Sequence, residues 1–236
     1  QGLPLGLQFS ILAVGIIVMQ GAVVRFDIAG NGIMVPGTPA QNGFSAANKL
    51  INFLMALYNG LASAILGFNA QNYGKSDYRR IRQGTRQSLI IMLIMYAFCL
   101  TAGLLLSIGG AYQHIFMSED KISEASVRFG NTYLYVDFIL YFILGFLIVT
   151  RSAVQGITKV GYVLGAGVAE LVSRVLICAY LPALVNGGAT DASASLASFA
   201  AVCFGDPGAW LLASLVLLVP TVKYIFRMQY KKEVSG

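Results

Sequence analysis

Charge is scarce in this sequence. Asp, Glu, Lys and Arg make up 11% of its residues, where soluble domains carry about 25%. Too few side chains remain to solvate the surface of a soluble domain, and a mean hydropathy of +0.72 says the same. Histidine occurs once, at His114. With no second His or Cys near it, no metal site is expected. The cysteines are Cys99, Cys178 and Cys203, each in an apolar run without ligand-like spacing. They are expected to be small buried hydrophobes, not disulfides or metal ligands. No Cys–His pair and no Asp–Asp pair falls within an apolar run, so the convergent groups of an enzyme are missing. Gly205 and Gly208 are not followed by lysine and form no phosphate loop. The chain opens on Gln1, with neither Met nor the basic start of a signal peptide. It is expected to be a piece of a longer polypeptide.

What is present is a series of apolar runs long enough to cross a bilayer, which needs about 20 residues of helix. The spans fall at about 3–26, 45–70, 87–110, 131–154, 160–182 and 207–228. The expected fold is an all-α integral membrane protein, a six-transmembrane-helix bundle formed as a single domain over 1–236. Residues 27–42 hold Gly30, Asn31, Gly32, Pro36, Gly37 and Pro39, which is loop chemistry. Residues 112–128 are amphipathic and suit an interfacial helix. Residues 185–205 read as a Gly/Ala/Ser-rich loop, partly helical over 193–203, after which Gly205, Asp206 and Pro207 read as turn, N-cap and first helical residue. Trp210 suits a membrane interface and Pro220 should kink the last helix. Gly2/Gly6 and Gly161/Gly165 have the spacing of close helix contacts.

Glu170 and Arg174 pose the sharpest problem, because they sit in the middle of the fifth run. A charge at that depth is costly unless it is paired or faces an internal cavity. Four residues apart on a helix, they share one face in the favoured order, acid before base. Gly167 and Ser173 lie on the same side, so this face should point to protein or water. Gln8 and Gln20 are the polar residues of the first span. Asn48, Asn52, Asn59 and Ser63 share a face of the second, either as hydrogen-bonded packing or as a cavity wall. Tyr133, Asp137 and Tyr141 recur every four residues on the fourth. They form either an interfacial aromatic belt or a site for a cation or proton.

Positive charge is placed as membrane proteins place it. With six spans and both ends cytoplasmic, eleven basic residues fall inside (Lys75, Arg79, Arg80, Arg82, Arg86, Arg151, Lys159, Lys223, Arg227, Lys231 and Lys232). Four fall outside, at Arg25, Lys49, Lys121 and Arg128. The net charge of +6 is therefore assigned to membrane topology, and no nucleic-acid partner is expected. The basic stretch 71–86 has a second reading, as a phosphate or lipid-headgroup site.

Several stretches resemble one family. GLPLGLQFSILAVG at residues 2–15 resembles the start of the second half of a MATE (multidrug and toxic compound extrusion) transporter. FNAQNYGKSDYRRIRQG at 68–84 resembles its Q-N-x-G-A-x-x-x-x-R-I motif at the cytoplasmic end of a helix, carried here by Gln71, Asn72, Gly74 and Arg80, with Lys75 in place of Ala. Residues 151–175 resemble its R-x-x-L-Q-G-x-G and E-L-x-x-R segments, and 206–220 its last helix. The resemblance implies twelve helices in two six-helix halves around a cavity. It also implies exchange of organic cations or other amphiphiles for Na⁺ or H⁺ by alternating access. The chain would be the C-terminal half, with the N-terminal six-helix half, the lipid bilayer and a small amphiphilic or cationic substrate as partners. No cofactor is implied beyond a coupling ion, Na⁺ or H⁺, and the location implied is the plasma membrane. Some members carry an aspartate deep in the fourth helix of this half. Here Leu140 to Gly145 hold no acid, and Asp137 lies a turn or two nearer the outer side.

Within that frame Glu170 is the expected principal ionisable group. It serves either as a structural lock on Arg174 or as the coupling element that exchanges Arg174 for an ion. Two other functions use the same architecture: a lipid or lipid-linked oligosaccharide flippase, and a non-transporting membrane scaffold.

Overall fold

The computed structural model describes residues 2–227, with no strand among them. The long helices are α1 (Gly2–Val24), α2 (Pro39–Gly74), α3 (Tyr78–Ser107), α5 (Glu124–Gly156), α6 (Val160–Asn186) and α8 (Gly205–Pro220). Two short ones, α4 (Ala111–Phe116) and α7 (Leu196–Cys203), sit in the connections. Five helical stretches among the described residues are long and apolar enough to cross a membrane, the last running through α7 and α8 as Leu196–Phe226. The 23 residues of α1 contain no charged residue at all. The protein is an all-α membrane bundle.

Short turns at 75–77 and 157–159 make neighbouring helices antiparallel, so the helix ends collect at two faces of the bundle. Lys75, Arg79, Arg80, Lys159 and Lys223 gather at one; Glu119, Asp120, Glu124 and Asp191 gather at the other. α5 is the hub. It packs on α2, α3 and α8 and buries half its length, including Leu134, Phe138, Leu147 and Val149. Its remaining face, with Tyr135, Ile139 and Phe142 exposed, is apolar too and suits lipid, so α5 has no separate apolar stripe. α3 is less covered. Ile90, Leu93, Ile94, Phe98 and Leu105 are exposed along it, a row that lipid covers in a bilayer.

The closest helix approach is between α2 and α5. A Cβ on Gly43 would strike the Ser126 carbonyl and come within 2.7 Å of the Gly130 nitrogen. The contacts expected at Gly6, Gly161 and Gly165 are not made, for a Cβ at any of them meets nothing within 4 Å. Gly2 is not described at this level.

The element boundaries differ from expectation where charge masks a helix. α2 starts at Pro39 and runs to Gly74, taking in Gln71 and Asn72. α3 starts at Tyr78, so most of the basic stretch is helical, with Asp77 accepting from the Arg80 amide at 3.0 Å as its cap. The interfacial helix over 112–128 is not formed. The chain breaks after Phe116, makes a 3₁₀ turn at Glu119–Lys121, and restarts at Ser123, the N-cap of α5, in a capping box with Ser126. Buried Gln113 ties the two pieces, donating to the Ser126 carbonyl and accepting from its hydroxyl, both at 2.9 Å. Pro182 lies inside α6, which continues to Asn186. Pro220 ends the regular part of α8 and is followed by a π turn, Thr221–Phe226. Residues 228–236, with the basic Lys231 and Lys232, lie outside the described residues. The partly helical stretch over 193–203 is α7, and the three cysteines are buried and free.

Asp27 is the least expected element of the fold. It reads as an exposed loop acid, yet it is fully buried. Its carboxylate accepts from the amides of Ala40 at 2.9 Å and Gln41 at 2.8 Å, the second and third residues of α2. A helix start leaves such amides without partners, and an acid stabilises it further through the helix dipole. The long loop after α1 is thus pinned to the start of α2, helped by the Val35 amide donating to the Asp27 carbonyl at 2.7 Å. Asp27→Ala is expected to lower stability by ~1–3 kcal/mol, since it orphans buried donors. Thermal unfolding of the detergent-solubilised protein checks this, with Asp27→Asn retaining part of the loss.

Candidate functional site

A cavity of about 170 Å³ opens between α1, α2, α5, α6 and α8. Most of its charge comes from the faces of α5 and α6. One turn separates Tyr133 from Asp137 on α5, and one turn separates Glu170 from Arg174 on α6. Because the two helices run antiparallel from the turn at 157–159, Arg151 of α5 lies near the basic end, followed inward by Glu170 and Arg174. Asp206 enters from the start of α8, nearer the other end. Asn48 and Asn52 complete the polar wall from α2. Their shared face is therefore cavity wall and packing at once, as Asn52 donates to the carbonyl and side-chain oxygens of Asn48.

The expected Glu170–Arg174 pair is not formed. Glu170 pairs with Arg151, Oε2 to Nη2 at 2.8 Å, off the angle of a hydrogen bond. Arg174 pairs with Asp206, whose Oδ1 accepts from Nε at 3.1 Å and Nη2 at 2.6 Å. The other Asp206 oxygen accepts from the Tyr133 hydroxyl at 2.7 Å. The spacing that puts Glu170 and Arg174 on one face is correct. The partners come instead from α5 and α8, which hold better-placed opposite charges. The cavity thus contains a ladder of alternating sign: Arg151, Glu170, Arg174, Asp206. α1 leaves room for it, for the Arg174 guanidinium lies over Gly15, where a Cβ would come within 2.6 Å of Nη1.

Asp137 stands beside the ladder and outside it. It lines the cavity and is fully buried, and neither carboxylate oxygen has a hydrogen-bond partner. The nearby Tyr133 hydroxyl is taken by Asp206. Among the described residues the cavity holds two cations, Arg151 and Arg174, and three acids, Glu170, Asp206 and Asp137. Two acids are neutralised by ion pairs and one is left over. A buried carboxylate without donors is a high-energy group unless a proton or a cation joins it.

The other expected site residues are placed elsewhere. Tyr133, Asp137 and Tyr141 are all buried, so they form no interfacial belt. Tyr141 is packing: its hydroxyl donates to the Ile51 carbonyl at 3.3 Å and its ring meets Tyr58, Phe138 and Trp210 edge-on. Trp210 is itself buried and lines the cavity, not a membrane interface. Ser173 is buried beside Gly208 of α8. Gln20 and Asn59 are exposed and away from the cavity lining, and the side chain of Gln8 lies outside the described ones. Gln71 and Gly74 at the end of α2 and Arg80 in the first turn of α3 are exposed. Asn72 is buried and shapes the turn: its side chain donates to the Phe68 carbonyl at 2.7 Å, and its own carbonyl accepts from the amides of Lys75 and Asp77. Asp206 and Arg151 are the functional residues that sequence reasoning missed. Among the described residues no group of His, Cys, Asp and Glu could hold a metal through three such ligands.

Residues 33–180 match the MatE family model. The chain belongs to the MatE family. MatE proteins are transporters, and the multi-pass bundle is that of a membrane transporter of this family. The matched span runs from the loop before α2 almost to the end of α6. It therefore contains Asp137, Arg151, Glu170 and Arg174, and stops short of α8 and Asp206. No curated protein and no solved structure is matched.

Proposed function

We propose that this MatE chain is one lobe of a cation-coupled antiporter that expels organic cations or drugs by alternating access, with Asp137 as the residue that takes the coupling Na⁺ or H⁺. The observation that carries this reading is the surplus acid. Glu170 and Asp206 have dedicated arginines, whereas Asp137 faces the cavity with both oxygens unpartnered. This moves the coupling role away from Glu170, whose partner on α5 makes it part of a structural lock. A second six-helix half supplies the opposite cavity wall, and the exposed residues Ile16, Ile17, Phe53 and Leu57 of α1 and α2 suit such a neighbour. The location is the plasma membrane with the basic face cytoplasmic, in keeping with the positive-inside rule.

A flippase reading is less well supported. Both cavity arginines are already ion-paired, so no free cation is left there for a lipid phosphate. The test is transport by the full-length protein in proteoliposomes. A fluorescent organic cation should accumulate against its gradient when an opposing Na⁺ or H⁺ gradient is imposed and stop when that gradient is collapsed. Movement indifferent to either ion gradient would overturn the proposal.

A further inference from the structure

The central cavity is not the largest hollow in the bundle. α3 and α8 both pack on α5 but diverge from each other, leaving a fissure of about 460 Å³ on the side away from the charged ladder. Its walls are Leu89 and Leu93 of α3 and Leu215 and Leu218 of α8, and its floor is Phe142 and Phe146 of α5. Only apolar atoms face it. The floor residues lie on the face of α5 opposite Leu144 and Ile148, which line the cavity, so the two hollows are separate.

One turn beyond Leu89 along α3 the surroundings become basic. Arg82 reaches the Ile225 carbonyl at 3.5 Å, and the Arg86 guanidinium sits 5.7 Å from the ring centre of Phe226 in the π turn. Arg82, Arg86, Leu89 and Leu93 follow one another at offsets of four, three and four, so the cations continue the line of the α3 wall. Arg86 is exposed and has no carboxylate within ion-pairing distance. Lys223, also exposed, turns its amine over the Tyr224 ring, 5.1 Å from its centre. In the helix connections at this face, Asp77 is the only acid among the described residues.

We propose that the fissure binds an anionic glycerophospholipid, one acyl chain lying between α3 and α8 and the phosphate seated at Arg86. An apolar slot ending at Arg86, which has no carboxylate partner, complements a molecule with a hydrocarbon tail and a negative head. A zwitterionic lipid fills the slot equally well, but its own ammonium offsets the attraction of its phosphate to the guanidinium. The fissure would hold α3 and α8 at their separation, and α8 carries Asp206 of the ladder.

The experiment is native mass spectrometry of the full-length transporter in neutral detergent with phosphatidylglycerol and phosphatidylcholine of matched chains. Wild type should retain phosphatidylglycerol about fivefold better, the factor expected for one basic contact near the membrane surface. Arg86→Ala should equalise the two lipids. Leu215→Trp should lose both by filling the slot, with Leu93→Trp as a second filling variant should the first not fold. Arg79→Ala, exposed at the same face but off the slot, should behave as wild type. Equal retention of both lipids by wild type overturns the proposal. So does Arg86→Ala keeping its preference, a foldable filling variant keeping its lipid, or Arg79→Ala losing the preference as Arg86→Ala does.

Discussion

Asp137→Asn is expected to leave the protein folded and to cut ion-driven efflux by on the order of 10–100-fold, the range of coupling free energies between ligand sites. The expectation of a folded variant follows from the hydrogen-bond pattern. Asp137 accepts no hydrogen bond through either oxygen, so replacing it by a neutral side chain of the same shape removes no native contact. It also removes the one uncompensated charge in the cavity. A structural carboxylate behaves in the opposite way, because losing its charge strands its donors. Expression yield, the size-exclusion profile and thermal unfolding should therefore match wild type or improve, while uptake driven by an ion gradient collapses. Movement of the organic cation down its own gradient, with no ion gradient imposed, should persist. Glu170→Gln is the informative contrast. It leaves the Arg151 guanidinium without its counter-charge, so its defect should appear first in folding.

The second large effect concerns Arg174. Replacing it by Met leaves the Asp206 carboxylate, whose side chain is only 13% exposed, with a single hydroxyl donor, Tyr133, where it had the guanidinium as well. Breaking a buried pair from one side costs ~3–5 kcal/mol, whereas apolar replacement of both partners is often neutral. Arg174→Met should therefore unfold at markedly lower temperature, and Arg174→Met combined with Asp206→Leu should recover most of the loss. The double variant also separates stability from transport. If the ladder is a scaffold for Asp137, the recovered protein binds the coupling ion still, though with altered affinity, because a neighbouring acid and base have both gone. Recovery of neither stability nor ion binding would mean that the pair does more than neutralise itself.

Much of this was legible in the residues, and the failures have a common cause. The apolar runs are long, so the major helices and their order could be placed. α5 carries buried charge at Asp137 and α6 at Glu170 and Arg174, and an interior hollow follows from the cost of such charges in lipid. What could not be read was who pairs with whom. Spacing along a helix reports a shared face, but the choice of partner is tertiary. Arg151 and Asp206 reach the site from helices remote in sequence from Glu170 or Arg174, by 19 and 32 positions. Asp206 was further hidden by a strong local signal: Gly-Asp-Pro reads as an N-cap, although its side chain turns away from its own helix. Asp27 misleads in the mirror sense, a loop acid that caps a helix starting twelve residues later. The basic stretch at the start of α3 reads as a loop because a run of charge marks the end of an apolar span, while helix propensity there is high.

Among the described residues the cavity has one acid more than its arginines neutralise, and that acid is Asp137. The most direct test measures cation binding by purified full-length transporter, as Na⁺ bound at equilibrium and as protons released when Na⁺ or an organic cation is added. Asp137→Asn is expected to remove one site per chain, seen as the loss of one bound Na⁺ or of the one proton that Na⁺ or the organic cation displaces, and the Arg174→Met, Asp206→Leu double variant is expected to keep it. An undiminished count in Asp137→Asn would contradict it.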